Sequence, residues 1–220
     1  NYPNNPTGAV ATDHFYEETV NFAVNNEVGI VSDFAYGAIG FDGYKPLSFL
    51  QTAGAKDVGI ETYTFSKTFN MAGWRIGFAV GNADMIEAIN VIQDHLFVSL
   101  FPAIQDAAVE ALTNISERQK AIVKLNTVYQ KRRDAFVNAV RAYGWEPYVP
   151  KGAFYVLMPV PKGYSSAEFA ELLLEEANVA VADASGFGDA GEGYIRVGLT
   201  IDEARLIEAA ERIGKLQIFK

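Results

Sequence analysis

The sequence lacks cysteine entirely and has only two histidines, His14 and His95. Without cysteine the chain can form no disulfide and no thiolate metal site, and this composition fits a reducing, cytoplasmic compartment. Two isolated histidines do not make a zinc-binding motif, so we expect no metal site. No apolar run approaches the roughly 20 residues that span a bilayer, so we also expect no membrane partner.

Positive charge is scarce as well. The 220 residues include 18 Lys and Arg against 27 Asp and Glu, which gives a formal net charge of -9 at pH 7. Such an acidic chain repels a phosphate backbone, and nucleic acid is therefore not an expected partner. Hydrophobic residues, in contrast, make up 50% of the chain. That content is sufficient for one large domain or two small ones with a real core.

The first eight residues form a cluster of Asn, Pro and Gly, with no lead-in element before them. Such clusters normally end a strand inside a domain. We therefore expect the chain to be the C-terminal part of a longer polypeptide.

Two patterns of secondary structure follow along the chain. In the first, short apolar strands alternate with helices, which predicts an α/β sheet covered by helices on both faces. We predict its strands at residues 28–34, 60–65 and 76–81, and its helices at residues 13–26, 83–100 and 102–115. In the second, a long helix over 117–143 precedes a smaller α+β pattern, with strands at 153–158, 179–182 and 194–199 and helices at 166–178 and 202–214. We predict two domains, residues 1–116 and 117–220.

The segment 62–77 carries the strongest chemical signal. Lys67 follows a strand-like stretch, and Arg75 comes eight positions later, after a glycine-bearing turn. Partial desolvation at a strand end disfavours the ammonium form and makes the amine a better nucleophile toward an aldehyde. A guanidinium offers a planar donor fork that suits a phosphate. A phosphorylated aldehyde that binds through a lysine Schiff base is pyridoxal 5'-phosphate (PLP).

Four motifs stand in the order found in class I/II aminotransferases, which are fold type I PLP enzymes. They are Asn-Asn-Pro-Thr-Gly at 4–8, Ser-Asp-Phe-Ala-Tyr at 32–36, the run from Ser66 to Gly77, and Tyr-Ile-Arg-Val-Gly at 194–198. The chain resembles this family over its whole length, and several segments resemble aminotransferases of methionine salvage. The resemblance implies part of a PLP-binding large domain with a mainly parallel sheet, a small α+β domain and a homodimer.

The resemblance also implies roles for individual residues around the cofactor. Lys67 would hold the cofactor and, once freed, move a proton on the substrate. Asp33 ends an apolar strand, where a carboxylate needs a partner, and in the family that partner is the pyridine nitrogen. Tyr36 and Asn5 would both donate to the phenolic oxygen of the cofactor.

Three further residues are expected to bind anionic groups. Arg75 and Thr64 would bind the cofactor phosphate. Arg196 lies inside an apolar strand, where an arginine needs a partner, and the family places the substrate α-carboxylate there; Asn5 is also expected to bind the substrate.

We predict transamination between an amino acid and a 2-oxo acid. Two alternatives stay open: a PLP-dependent carbon–sulfur lyase on the same fold, and an inactive truncated domain. Asn4 and Thr7 favour the transaminase, because the lyases tend to have histidine and a different residue at these places.

Overall fold

The computed structural model describes residues 1–97 and 99–219. They form two compact units. The first unit comprises Asn1–Pro3 and Val10–Leu125, and the second comprises Asn4–Ala9 together with the chain from Asn126 onward. Within the described ranges, no helix has both the length and the apolar character needed to cross a membrane.

The first unit contains a three-stranded sheet and five helices that lie wholly within it. Its strands are β1 (Ile30–Asp33), β2 (Gly59–Thr64) and β3 (Gly77–Gly81), in that order across the sheet. Its helices are α1 (Asp13–Asn26), α2 (Ala55–Val58), α3 (Phe65–Thr68), α4 (Ala83–Leu96) and α5 (Pro102–Thr113). The helix predicted over 83–100 thus ends at Leu96, and Val98 lies outside the described residues. Helix α6 (Ile115–Arg141) begins in the first unit and continues into the second.

The three described strands of the first unit form one parallel and one antiparallel pair, as part of the α/β fold that the resemblance implies. Strands β1 and β2 are parallel, but β3 runs antiparallel to β2. The reversal follows from the connection between β2 and β3, whose two ends pair directly: Phe65 N donates to Ile76 O at 3.2 Å. A connection closed in this way returns the chain antiparallel instead of crossing over the sheet.

Two apolar clusters pack the elements of the first unit. The larger one joins α1 to the crossover between β1 and β2 through Tyr16, Val20 and Phe49, whose rings and methyl groups are buried. The smaller one joins Phe65, at the start of α3, to Ala108 of α5. Both clusters fix segments that flank the ends of β1 and β2.

The second unit contains an antiparallel sheet in the order β4 (Tyr155–Pro159), β6 (Tyr194–Gly198), β5 (Ala182–Asp183). Helices α7 (Ser166–Ala177) and α8 (Glu203–Gly214) complete it. The strand predicted over 179–182 is reduced to Ala182–Asp183. The preceding residues instead end α7: Asn178 adopts the left-handed conformation, and Val179 N donates to Leu173 O at 3.0 Å.

The turn at residues 4–9 belongs to the second unit. Lys151 N donates to Gly8 O at 3.3 Å, and Gly8 has a φ of +68°. A Cβ atom added at Gly8 would lie 2.3 Å from Pro150 Cβ. Both the backbone conformation and the close approach therefore require glycine in the Asn-Pro-Thr-Gly motif.

Candidate active site

One edge of the first-unit sheet collects most of the chemically active residues. In the parallel pair, Asp33 is the partner of Thr62, so β1 and β2 end at the same edge. In the antiparallel pair, Thr64 is the partner of Gly77, so β3 begins at that edge too. Asp33, Lys67 and Arg75 therefore come to one end of the sheet, where the carboxyl ends of parallel strands commonly bind ligands.

Lys67 is the third residue of α3, a single helical turn that directly follows β2. Its side chain is half-buried. Two side-chain hydrogen bonds fix this turn: Thr64 Oγ1 accepts from Ser66 N at 3.1 Å, and Tyr63 donates its hydroxyl to Thr68 Oγ1 at 2.6 Å. Burial raises the pKa of Tyr63, which keeps its hydroxyl protonated as a donor. The backbone that carries the lysine is thus anchored on both sides.

Asp33, the last residue of β1, has an exposed side chain. Within the described residues its carboxylate makes no hydrogen bond and no ion pair. A carboxylate at the end of an apolar strand is costly when it is buried without a partner; exposure to solvent removes that cost for Asp33. The carboxylate is therefore available to a cation at the sheet edge. Tyr36, three residues later, is 4% exposed and lies in the core of the first unit.

The two residues expected to bind phosphate differ in their readiness. Arg75 is exposed, has a φ of +55°, and folds back so that Nη1 donates to Ala72 O at 2.9 Å. The Thr64 hydroxyl caps α3 and donates to Ser66 Oγ at 2.9 Å. A phosphate would have to compete with Ser66 for the Thr64 hydroxyl proton, whereas the Arg75 guanidinium keeps most of its donors.

Arg196 occupies the middle of the central strand β6 in the second unit. Its Nη1 donates to Asn5 Oδ1 at 2.7 Å, and its guanidinium carbon lies 4.3 Å from the ring centre of Tyr155 and 4.6 Å from that of Phe187. Its Nε is buried and has no hydrogen-bond partner among the described residues. A fixed guanidinium with an unsatisfied N–H fits an incoming carboxylate, because buried donors are almost always paired. The structure thus places Asn5 and Arg196 together.

Sequence reasoning missed several residues that shape these sites. Tyr155 and Phe187 contact the guanidinium, Tyr63 anchors the turn that carries Lys67, and Glu61 is a carboxylate buried in β2. Glu61 gave the same signal as Asp33, a charge inside an apolar strand. The two rings gave none, because their approach to Arg196 depends on the strand register.

Comparison with known proteins gives a consistent result. The sequence pattern of the family "Aminotransferase class I and II" matches residues 1–213. The chain is 62% identical over 219 residues to the L-glutamine–4-(methylsulfanyl)-2-oxobutanoate aminotransferase of Bacillus subtilis. This match covers 100% of this chain and 54% of that protein. It is 47% identical over 218 residues to the LL-diaminopimelate aminotransferase of Halothermothrix orenii, with 99% and 55% covered.

Solved structures agree. The apo-BacF structure from Bacillus subtilis superposes with a TM-score of 0.94 at 44% identity, covering 100% of this chain and 56% of that chain. An aromatic aminotransferase from Pyrococcus horikoshii superposes with a TM-score of 0.93 at 35% identity, covering 98% and 58%. The chain therefore spans about half the length of the relatives that it matches.

Members of the matched family use PLP. The first unit fits this cofactor, because one sheet edge offers an amine, a carboxylate without a partner and a guanidinium with spare donors. From the family match and the identity to its members, the chain belongs to the aminotransferase class I and II family.

Proposed function

We propose that this chain takes part in PLP-dependent transamination between an amino acid and a 2-oxo acid. The observation that carries the proposal is the sheet edge where Asp33, Lys67 and Arg75 converge. When bound, PLP would supply an electrophilic aldehyde and a ring that withdraws electrons from the reacting carbon. The remaining tasks of binding, orientation and proton transfer fall to side chains of the protein.

In this proposal, the residues of the first unit hold the cofactor. Lys67 would hold the aldehyde group of the cofactor, and its Nζ, once free, would take and return a proton. The Asp33 carboxylate, which has no hydrogen-bond or ion-pair partner among the described residues, would hold the protonated ring nitrogen. Tyr36 would donate to the phenolic oxygen from the 4% of its surface that is exposed. The guanidinium of Arg75 and the hydroxyl of Thr64 hold the phosphate.

The residues of the second unit bind the substrate. Arg196 grips the α-carboxylate with the donors that Asn5 does not occupy, and its buried Nε gains the acceptor that it lacks. The Asn5 amide keeps N–H donors for the cofactor or the substrate. For the substrate pair we propose glutamine and 4-(methylsulfanyl)-2-oxobutanoate, supported by the 62% identity to the Bacillus subtilis enzyme of that name.

We also propose a cytoplasmic homodimer. The absence of cysteine fits a reducing compartment. Helix α4 has no buried residue, and Ile92 and Leu96 on it are largely exposed, which supports a further contact over this surface. Light scattering of the purified protein tests the homodimer.

Covalent trapping tests cofactor binding directly. The chain is incubated with PLP and reduced with borohydride, and the adduct is located by peptide mapping. We expect one adduct, on Lys67, which disappears in Lys67→Ala. Lys56→Ala is the matched control, because Lys56 also lies in a one-turn helix next to β2 but at the opposite end of that strand. Scattered labelling, or labelling that survives Lys67→Ala, would contradict the proposed role of Lys67.

Product analysis then tests the reaction. With glutamine and 4-(methylsulfanyl)-2-oxobutanoate we expect methionine to appear only when both substrates are present. Formation of a keto acid without an amino acceptor would indicate a lyase instead. Turnover of LL-diaminopimelate in preference to glutamine would overturn the proposed substrate pair while leaving the reaction type intact.

A further inference from the structure

A carboxylate is buried in the strand that leads to Lys67, and the proposed chemistry does not use it. Glu61 lies in the middle of β2 and is 6% exposed. Its Oε2 accepts from Ser32 Oγ at 3.1 Å and from Phe49 N at 2.9 Å, and its Oε1 accepts from Ser48 Oγ at 2.7 Å. In the part of the chain that the structure describes, no cation pairs with it.

Burying the Glu61 carboxylate costs free energy, so its presence in β2 calls for an explanation. Burying an ionised carboxylate without a counter-charge is unfavourable, and an apolar side chain would fill the same place without that cost. Hydrogen bonds from three donors offset part of the cost of burying the side chain. A carboxylate can accept from several donors at once through its two oxygens. Glu61 is thus suited to holding three separate donor groups in one place.

One of these donors belongs to the strand that carries Asp33. Ser32 is the register partner of Glu61 in the parallel ladder, and the next pair along is Asp33 with Thr62. The hydrogen bond between Ser32 and Glu61 therefore fixes β1 against β2 one residue before Asp33. Because side chains alternate between the faces of a sheet, this bond lies on the face opposite to the Asp33 side chain.

The other two donors belong to the crossover between β1 and β2. Ser48 is the N-cap of the 3-10 helix Phe49–Gln51, yet its side chain makes no cap bond to that helix. The Glu61 carboxylate instead accepts both the Ser48 hydroxyl and the first N–H of the helix. The carboxylate thus joins the crossover, which begins just after Asp33, to the strand that ends just before α3.

We propose that Glu61 is a positioning residue that fixes the Asp33 carboxylate relative to the Lys67 amine. The proposal rests on the proposed function, since it assigns Glu61 to the same cofactor site. Glu61 would act without touching the cofactor, through Ser32 of β1 and through the crossover, so that the Asp33 carboxylate and the Lys67 amine keep their spacing.

Four variants test the proposal in the protein as it occurs in the cell. Glu61→Leu deletes all three hydrogen bonds, Ser32→Ala deletes the one to β1 together with the hydrogen bond of Ser32 with Tyr16, and Glu61→Gln keeps the shape and one acceptor oxygen. Val20→Ala is the control, because it removes buried volume from the larger first-unit cluster without touching the carboxylate. Two quantities are measured under conditions in which the variants have equal free energies of unfolding. They are the PLP affinity, from borohydride trapping at Lys67, and the amide hydrogen exchange over residues 30–34 without PLP.

We expect Glu61→Leu to weaken PLP affinity roughly tenfold, since it removes hydrogen bonds to a charged group. Ser32→Ala should weaken it a few-fold, and Glu61→Gln should restore nearly the full affinity. Both deletions should speed exchange over residues 30–34, whereas Val20→Ala should leave the PLP affinity unchanged. If Val20→Ala weakens PLP binding as much as Ser32→Ala does, Glu61 is merely structural and the proposal fails.

The two proposals can fail separately. If the unaltered protein takes up no PLP at Lys67, the proposed function fails, and exchange over residues 30–34 alone decides the role of Glu61. Equal exchange in the unaltered protein and in Ser32→Ala would then overturn it. If Glu61→Leu does not fold, Ser32→Ala and Glu61→Gln still decide the question by the same two readouts.

Discussion

The two units hold their functional arginines in opposite ways. Arg75 in the first unit is exposed, sits on a left-handed residue and donates to the carbonyl of its own turn. Arg196 in the second unit lies mid-strand, bonds to Asn5 and contacts two aromatic rings. The first must leave its turn or extend from it to meet a ligand. The second is already oriented, so a carboxylate would bind with little further loss of side-chain entropy.

The strands around the two arginines also differ in how deeply their apolar side chains are buried. In the second unit, the residues that alternate with Arg196 in β6, Ile195 and Val197, are buried. In the first unit, Val31 of β1 is 61% exposed, and Phe78 and Val80 of β3 are also exposed. These exposed apolar side chains lie on the two strands that flank β2, on opposite faces of the sheet, and mark surfaces that other protein can cover. Arg196, already oriented by its contacts, thus lies in the sheet whose residues are better buried.

The largest expected effect separates chemistry from stability in the first unit. Asp33→Asn should lower turnover by about 10²–10³-fold, because it removes a charge that stabilises the reacting system. It should change the free energy of unfolding by less than about 0.5 kcal/mol, since the side chain is exposed and makes no hydrogen bond or ion pair within the described residues. Steady-state rates and urea unfolding test the two halves. A large loss of stability would show that Asp33 is a structural residue.

A pair of lysine substitutions sharpens the comparison of the two arginines. Arg196→Lys should lower kcat/KM for the amino acid by about 10–100-fold, because lysine keeps the charge but not the planar fork. Arg75→Lys should instead weaken PLP affinity by about 2–10-fold and leave KM for the amino acid unchanged, since an exposed pair is partly screened by solvent. Kinetics and PLP titration of both variants distinguish the roles. If each variant changed PLP affinity and kcat/KM for the amino acid by the same factor, the separate roles of Arg75 and Arg196 would be contradicted.

The sequence predicted much of this arrangement for reasons that can be stated residue by residue. Thr12 caps α1 as its residue type suggests. The sequence singled out Asp33 and Arg196 because a charged side chain at the end of an apolar strand or inside one usually needs a partner. The same reasoning extended to Glu61 would have exposed the buried carboxylate, but its three donors come from distant segments. No local pattern reveals such partners.

The mixed sheet and the aromatic contacts of Arg196 show where sequence reasoning ends. The direction of β3 depends on the hydrogen bond between Phe65 and Ile76, which closes the connection after β2. The approach of Tyr155 to Arg196 depends on the register of β4 against β6, in which Leu157 is the direct partner of Arg196. Both are tertiary choices, and local propensity does not encode them.

A smaller effect is expected from the ring that contacts Arg196. Phe187→Leu removes a cation–π contact and should raise KM for the amino acid by about 2–10-fold, with little change in kcat. Tyr164→Leu is the matched control: Tyr164 is 38% exposed against 46% for Phe187, and its ring contacts Phe169. Initial rates over a range of amino acid concentrations give both constants. An equal change of KM in the two variants would exclude a specific role for Phe187.

The smallest effect concerns the capping box of α7 and depends on pH. Hydrogen bonds from the Ser165 backbone N–H and hydroxyl hold the pKa of Glu168 below its ordinary value of 4.5. Because the folded-state pKa is lowered, the stabilisation is fully present above the unfolded pKa and is lost as the pH falls through the folded one. Glu168→Gln should therefore lower Tm slightly at pH 7, and the difference should shrink below about pH 4.5.

Glu171→Gln in the same helix is the control for this pH dependence, because its exposed side chain lies outside the capping box. Tm is measured for both variants and for the unaltered protein between pH 3 and pH 7, in steps of about one pH unit, and the differences in Tm are compared. A Tm difference for Glu168→Gln that stays constant over this range would mean that the box acts through shape and not through the carboxylate charge. In that case the Glu168 charge at the N-terminus of α7 would contribute no measurable stability to the second unit, although that unit has the better-packed sheet.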